Sequence, residues 1–74
     1  MKALVIGLGT QGKKRLKLLP KKDVYGSVDP YSDQSNFKKF QEVDPKFYDT
    51  VFLCVPDKEK KFLIYYFLKI KKNI

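Results

Sequence analysis

No histidine and no tryptophan occur among the 74 residues. Without imidazole the chain lacks the usual general base near neutral pH and a frequent zinc ligand. Cys54 is the only cysteine. It can form neither an internal disulfide nor a cysteine metal cluster, and within its apolar run it reads as a buried, reduced thiol. Acidic residues are scarce, eight against sixteen basic ones, for a formal net charge of +8. All the basic residues but Arg15 are lysines, scattered along the chain, and only Arg15 offers a planar bidentate donor. That distribution suits a solvated surface better than a nucleic-acid groove, so a basic nucleic-acid-binding module is the alternative and not the leading reading. Long apolar runs are also missing. The longest, Phe62 to Leu68, falls far short of the ~20 residues a membrane span needs. MKALVIGLG lacks the apolar core and cleavage site of a signal peptide. The expectations are no membrane partner and a cytoplasmic location.

What remains is enough for one small domain, residues 1–74, with a hydrophobic fraction of 43%. Ala3 to Ile6 are four consecutive apolar residues before a glycine, the pattern of a strand buried on both faces. Gly12 to Leu19 reads as a helix, with Gly12, Leu16 and Leu19 on one side and Lys13, Lys14 and Lys17 toward water. Pro20 stops it. DVYGSVD, residues 23–29, forms the second strand and leaves Asp29 at its carboxyl end. In residues 30–49 the spacing of SNFKKFQEV suggests a short helix capped by Ser35 or Asn36, with Phe37 and Phe40 inward. Val51 to Val55 supply the third strand. Asp57 is the expected cap of a last helix over 58–72, whose middle is apolar on nearly every side.

Residues 7–14, GLGTQGKK, satisfy two phosphate-binding patterns. Gly7, Gly12 and Lys13 match the start of a P-loop, but that motif needs a serine or threonine after the lysine to ligate magnesium. Here Lys14 follows, and a second ammonium would repel the metal. Gly7, Gly9 and Gly12 also spell the dinucleotide fingerprint G-x-G-x-x-G between a buried strand and a helix. Gly7 permits the tight turn, Gly9 the approach of a pyrophosphate, and Gly12 close helix–strand packing. The amides of Thr10, Gln11 and Gly12 then face the phosphates. Asp29 lies 22 residues after Gly7, where a carboxylate accepts the ribose hydroxyls and repels a 2′-phosphate. NAD is therefore the expected cofactor, ahead of NADP. Lys13, Lys14 and Arg15 read as solvated surface more than as phosphate contacts.

ALVIGLGTQGKKR, GSVDP and YDTVFLCVPDKEK in succession resemble the amino-terminal domain of the glucose–fructose oxidoreductase and inositol dehydrogenase family. The resemblance spans nearly the whole chain. It implies a Rossmann domain binding NAD or NADP, in an oxidoreductase acting on a sugar, an inositol or a related hydroxy compound. It places Val55 and Pro56 at the turn that touches the cofactor. The family commonly has Thr-Pro-Asn there and a histidine three residues on; this chain has Val55, Pro56 and Asp57, with Lys60 at the histidine's place. The family's catalytic lysine belongs to a later segment. No catalytic residue is therefore assigned within these 74 positions, and cofactor binding without turnover is expected of what looks like a piece of a longer enzyme.

These readings converge on an α/β fold: a three-stranded parallel, Rossmann-like sheet in the order 2-1-3 with helices on both faces. In that order the strand Val51–Val55 is an edge without charge or proline, and the last helix carries more apolar surface than one sheet can cover. Self-association through the strand, the helix or both is expected.

Overall fold

The computed structural model describes all residues, Met1 to Ile74. Strand β1 (Ala3–Ile6) leads into helix α1 (Thr10–Leu18), strand β2 (Val24–Val28), strand β3 (Thr50–Leu53) and helix α2 (Asp57–Lys69). The sheet is parallel throughout, in the order β2-β1-β3. Every residue of β1 is buried, which is why it is central: its side chains are covered on both faces. Alternation sends Leu4 and Ile6 to one side, where they join Val28, Val51, Leu63 and Phe67 in the main core. Val5 lies opposite Phe52 on the other side, the side on which α1 lies.

Two glycines let α1 turn back this tightly. Gly7 has φ +97°, the left-handed region that side chains avoid, and a Cβ there would stand 2.3 Å from the Cys54 carbonyl oxygen. A Cβ on Gly12 would stand 1.7 Å from the Gly7 oxygen. Helix and strand touch backbone to backbone, so neither position accepts another residue without movement.

Several boundaries differ from the sequence reading. Helix α1 begins at Thr10, with Gly9 as its N-cap, and ends at Leu18. Leu16 and Leu19 are only half-buried. Helix α2 stops at Lys69, and its cap position is Pro56; Asp57 is its first helical residue and pairs with Lys60 at 3.3 Å instead of capping. The last strand ends at Leu53, before Cys54 and Val55.

The expected helix over SNFKKFQEV does not form. Residues 36–37 run extended along the free edge of β2: Phe37 N–H donates to Ser27 O, Asp29 N–H donates to Phe37 O, and Asn36 Oδ1 accepts the Ser27 N–H. An isolated helical turn is costly to nucleate, whereas an unpaired strand edge leaves backbone groups to satisfy. Pairing with β2 meets that need. Two short 3-10 turns, Phe40–Glu42 and Pro45–Phe47, complete the crossover.

The carboxyl end of the chain serves the opposite edge in the same way. After α2, Lys71 takes φ 63°. Its N–H donates to Leu68 O, and the next amide, of Lys72, donates to Phe67 O. This is a Schellman closure. The reversal brings Asn73 beside β3, where it exchanges hydrogen bonds with Val51 N–H and Asp49 O. No helix of the chain is long and apolar enough to cross a membrane.

Candidate functional site

In this sheet the connection leaving β1 crosses one face to β2 and the connection leaving β2 crosses the other face to β3, and such a change of side opens a crevice outside the strands' carboxyl ends. A cleft of about 920 Å³ occupies that crevice here. That size suits a cofactor-class ligand, for which pockets run roughly 300–1,000 Å³. Gly7, Gly9, Asp29, Val55 and Pro56 all line it. Of the other candidates, Thr10 and Gln11 lie exposed on the first turn of α1, and Gly12 is buried beneath it.

No side chain caps the amino end of α1. The amides of Thr10, Gln11 and Gly12, at the first turn of the helix, lie before its hydrogen-bond ladder begins; the ladder's first bond here is from Lys13 N–H to Gly9 O. These groups and the helix dipole form an anion-binding feature. Gly9 stands apart from its two neighbours in the motif. Its φ of −71° suits any residue, and a Cβ built on it meets nothing within 4 Å. Nothing in the protein's own packing demands glycine there. The helix already starts three residues after Gly7, so residues 7–12 make a short strand–helix turn and not the long wrapping loop of a P-loop.

Asp29 ties the turn to β2. One carboxylate oxygen accepts the Leu8 N–H at 2.7 Å, and the other accepts the Tyr31 N–H at 2.8 Å. The Leu8 bond is the main reason its carboxyl is held below the ordinary value; the Tyr31 and Ser32 amides and the charge of Lys38 add to it, and desolvation opposes. Asp29 therefore has a structural task as well as a place in the cleft. A carboxylate offers about four acceptor sites, so lone pairs remain beyond the two bonds from Leu8 and Tyr31.

Cys54 lines the same cleft and is half-buried, less enclosed than the sequence suggested. Burial pushes its thiol up, against the pull of Arg15 and Lys60. A thiol so placed stays protonated at neutral pH and is a poor nucleophile. Arg15 does not line the cleft; its guanidinium sits 5.0 Å from the Phe52 ring centre. The cleft instead includes Tyr31, Lys38, Lys39, Phe40 and Gln41, which sequence reasoning did not assign to it. The one available signal was the Lys38–Lys39 pair soon after the acid at the end of the second strand.

Comparison with protein-family models, with curated proteins and with solved structures gives no match for this chain.

Proposed function

We propose that this chain is the cofactor-binding unit of a nicotinamide-dependent oxidoreductase. The observation that carries the reading is Gly9: a glycine that neither backbone conformation nor packing requires, at the mouth of a cleft beside uncapped helix amides. A ligand backbone passing close over it supplies the missing reason. The amides of Thr10, Gln11 and Gly12 hold the pyrophosphate, Asp29 meets the adenosine ribose, and Val55 and Pro56 pack against the far end. The nicotinamide supplies the hydride chemistry when bound. The chain's own residues bind and orient it, with no acid–base group among those assigned, so binding without turnover is the expected behaviour. The substrate is a sugar, inositol or related hydroxy compound, on the strength of the sequence resemblance.

Self-association belongs to the same proposal. Asn73 covers only the first part of the outer edge of β3. Phe62, Tyr65 and Leu68 on α2 are 66%, 74% and 59% exposed.

The test is NMR of the labelled chain titrated with NADH or NADPH, with ATP–magnesium and with an oligonucleotide. Dinucleotide-dependent shifts at Gly7 to Gly12 and at Asp29 are expected. Shifts produced only by ATP–magnesium would replace this reading with a P-loop one. Shifts produced only by the oligonucleotide would make the chain a nucleic-acid module.

A further inference from the structure

By its charge alone, Asp29 favours the unphosphorylated ribose and excludes a 2′-phosphate. The folded loop around it works the other way. Both carboxylate oxygens already accept backbone N–H bonds, from Leu8 and Tyr31. Their negative charge is thus partly answered before any ligand arrives. Lys38 Nζ donates to Ser32 O. That bond suspends the ammonium over the turn that follows Asp29, and its charge is felt at the Asp29 carboxylate. Lys39 lines the same cleft.

Neither ammonium forms an ion pair. The ion pairs in the structure are Met1–Asp23, Lys46–Asp44 and Lys60–Asp57, and none involves Lys38 or Lys39. Glu42, the acid nearest to them along the loop, spends one oxygen on their backbone N–H groups, at 2.8 Å each. Two cations without a direct ion-pair partner thus stand on the Asp29 side of the cleft, near two carboxylates, Asp29 and Glu42, that already accept backbone N–H bonds. Ser32 Oγ, which accepts the Gln34 N–H, keeps its own proton to donate in the same turn.

We infer that the cleft takes the 2′-phosphorylated dinucleotide, NADP(H), at least as readily as NAD(H), with Lys38 and Lys39 holding the 2′-phosphate. The inference rests on the dinucleotide reading above. The loop that carries these lysines owes its course to the pairing of Phe37 with β2. Had residues 35–43 formed a helix, Lys38 would not be bonded to the turn at Ser32.

The experiment measures affinities of NADH, NADPH, adenosine 5′-monophosphate and adenosine 2′,5′-bisphosphate for the full chain and for the Lys38→Gln, Lys39→Gln double variant. Thermal unfolding confirms that the variant is folded. The parent should bind NADPH no more weakly than NADH, and the bisphosphate more tightly than the monophosphate. The double variant should lose about tenfold or more in NADPH affinity, the scale of a charge-assisted hydrogen bond. It should lose clearly less NADH affinity than NADPH affinity, since only NADPH carries the extra phosphate. Added salt should weaken NADPH more than NADH. NADPH binding about tenfold weaker than NADH in the parent, or an equal loss of both in the variant, overturns the inference and leaves the dinucleotide reading standing. Failure of all four ligands to bind overturns both.

Discussion

Three glycines in one motif have three separate jobs, and substitution distinguishes them. Gly12→Ala forces a Cβ onto the Gly7 carbonyl. Backbone has nowhere to retreat there, so a loss of roughly 1–3 kcal/mol is expected, the range for overpacking, read by urea unfolding. Gly9→Val meets nothing in the protein. Its stability should fall by no more than about 1 kcal/mol, the cost of a poorer N-cap residue, while dinucleotide affinity falls steeply. A variant that lost stability but kept affinity would remove the ligand as the reason for Gly9. At Asp29 the sign of the pH effect follows from the direction of its shift. Its folded pKa lies below its ordinary value, so its contribution is present at neutral pH, above the unfolded pKa. The contribution is lost as pH falls through the folded value. In Asp29→Asn the difference in unfolding free energy from the parent should therefore shrink in acid. A difference that stayed constant from neutral pH down to strong acid would mean that the carboxylate's charge does not hold the loop.

The ends of elements determine where the chain's remaining backbone goes. Helix α2 closes through Lys71 at φ 63°, a conformation costing a side-chain-bearing residue about 1 kcal/mol or more. Lys71→Gly should raise stability by about 1 kcal/mol in urea unfolding, and a decrease would show that the lysine side chain matters more than the turn. The reversal at Lys71 also delivers Lys72. Its ammonium donates to the carbonyls of Pro45 and Tyr48 and lies 4.9 Å from the Tyr48 ring centre. Tyr48 itself is buried between the crossover and α2, packed edge-on to Phe67. Burial, with a smaller part from Tyr66, pushes its phenol up to about 12 from 10.0. A raised folded pKa gives stability that is complete below the unfolded value and is lost as pH climbs to the folded one. Stability should fall between pH 10.0 and about 12, and Tyr48→Phe should flatten that fall. Parallel alkaline curves for the two proteins would assign the fall to other groups.

At the scale of the molecule, a sheet of three strands has two edges, and the chain spends residues on both. Asn36 and Phe37 cover part of β2, and Asn73 covers part of β3. Cys54 and Thr50 turn their N–H groups to β1, so by alternation the Leu53 N–H points outward, past the reach of Asn73. The exposed side of α2 adds Phe62, Tyr65 and Leu68, flanked by Lys58, Lys61 and Lys69 on the same side. Like charges oppose pairing of two such faces at low ionic strength. Their range shrinks to about 8 Å at physiological salt. Sedimentation should show association increasing with salt and protein concentration, and a strict monomer at high values of both would sink the proposal.

The sequence by itself determined the sheet and the motif. Four apolar residues directly before a glycine turn fit a short strand covered on both faces, and that turn with Asp29 in register pointed to the order 2-1-3. These are short-range signals, carried by side-chain type and local spacing, and five of the eight candidate residues do line one cleft. The tertiary structure decided the crossover, the task of Asp29 and the cations of the site. Phe37 and Phe40 have helical spacing, but unpaired groups on the edge of β2 compete for the same backbone and win. No local pattern encodes that competition, because the Ser27 and Phe37 groups that meet are separated by a loop. Likewise Asp29 could be placed at the carboxyl end of the second strand from its position alone, while its bond to Leu8, 21 residues earlier, exists only once β1 and β2 lie side by side. Lys38 became part of the site for the same physical reason: pairing of one strand edge set the path of the loop that carries it.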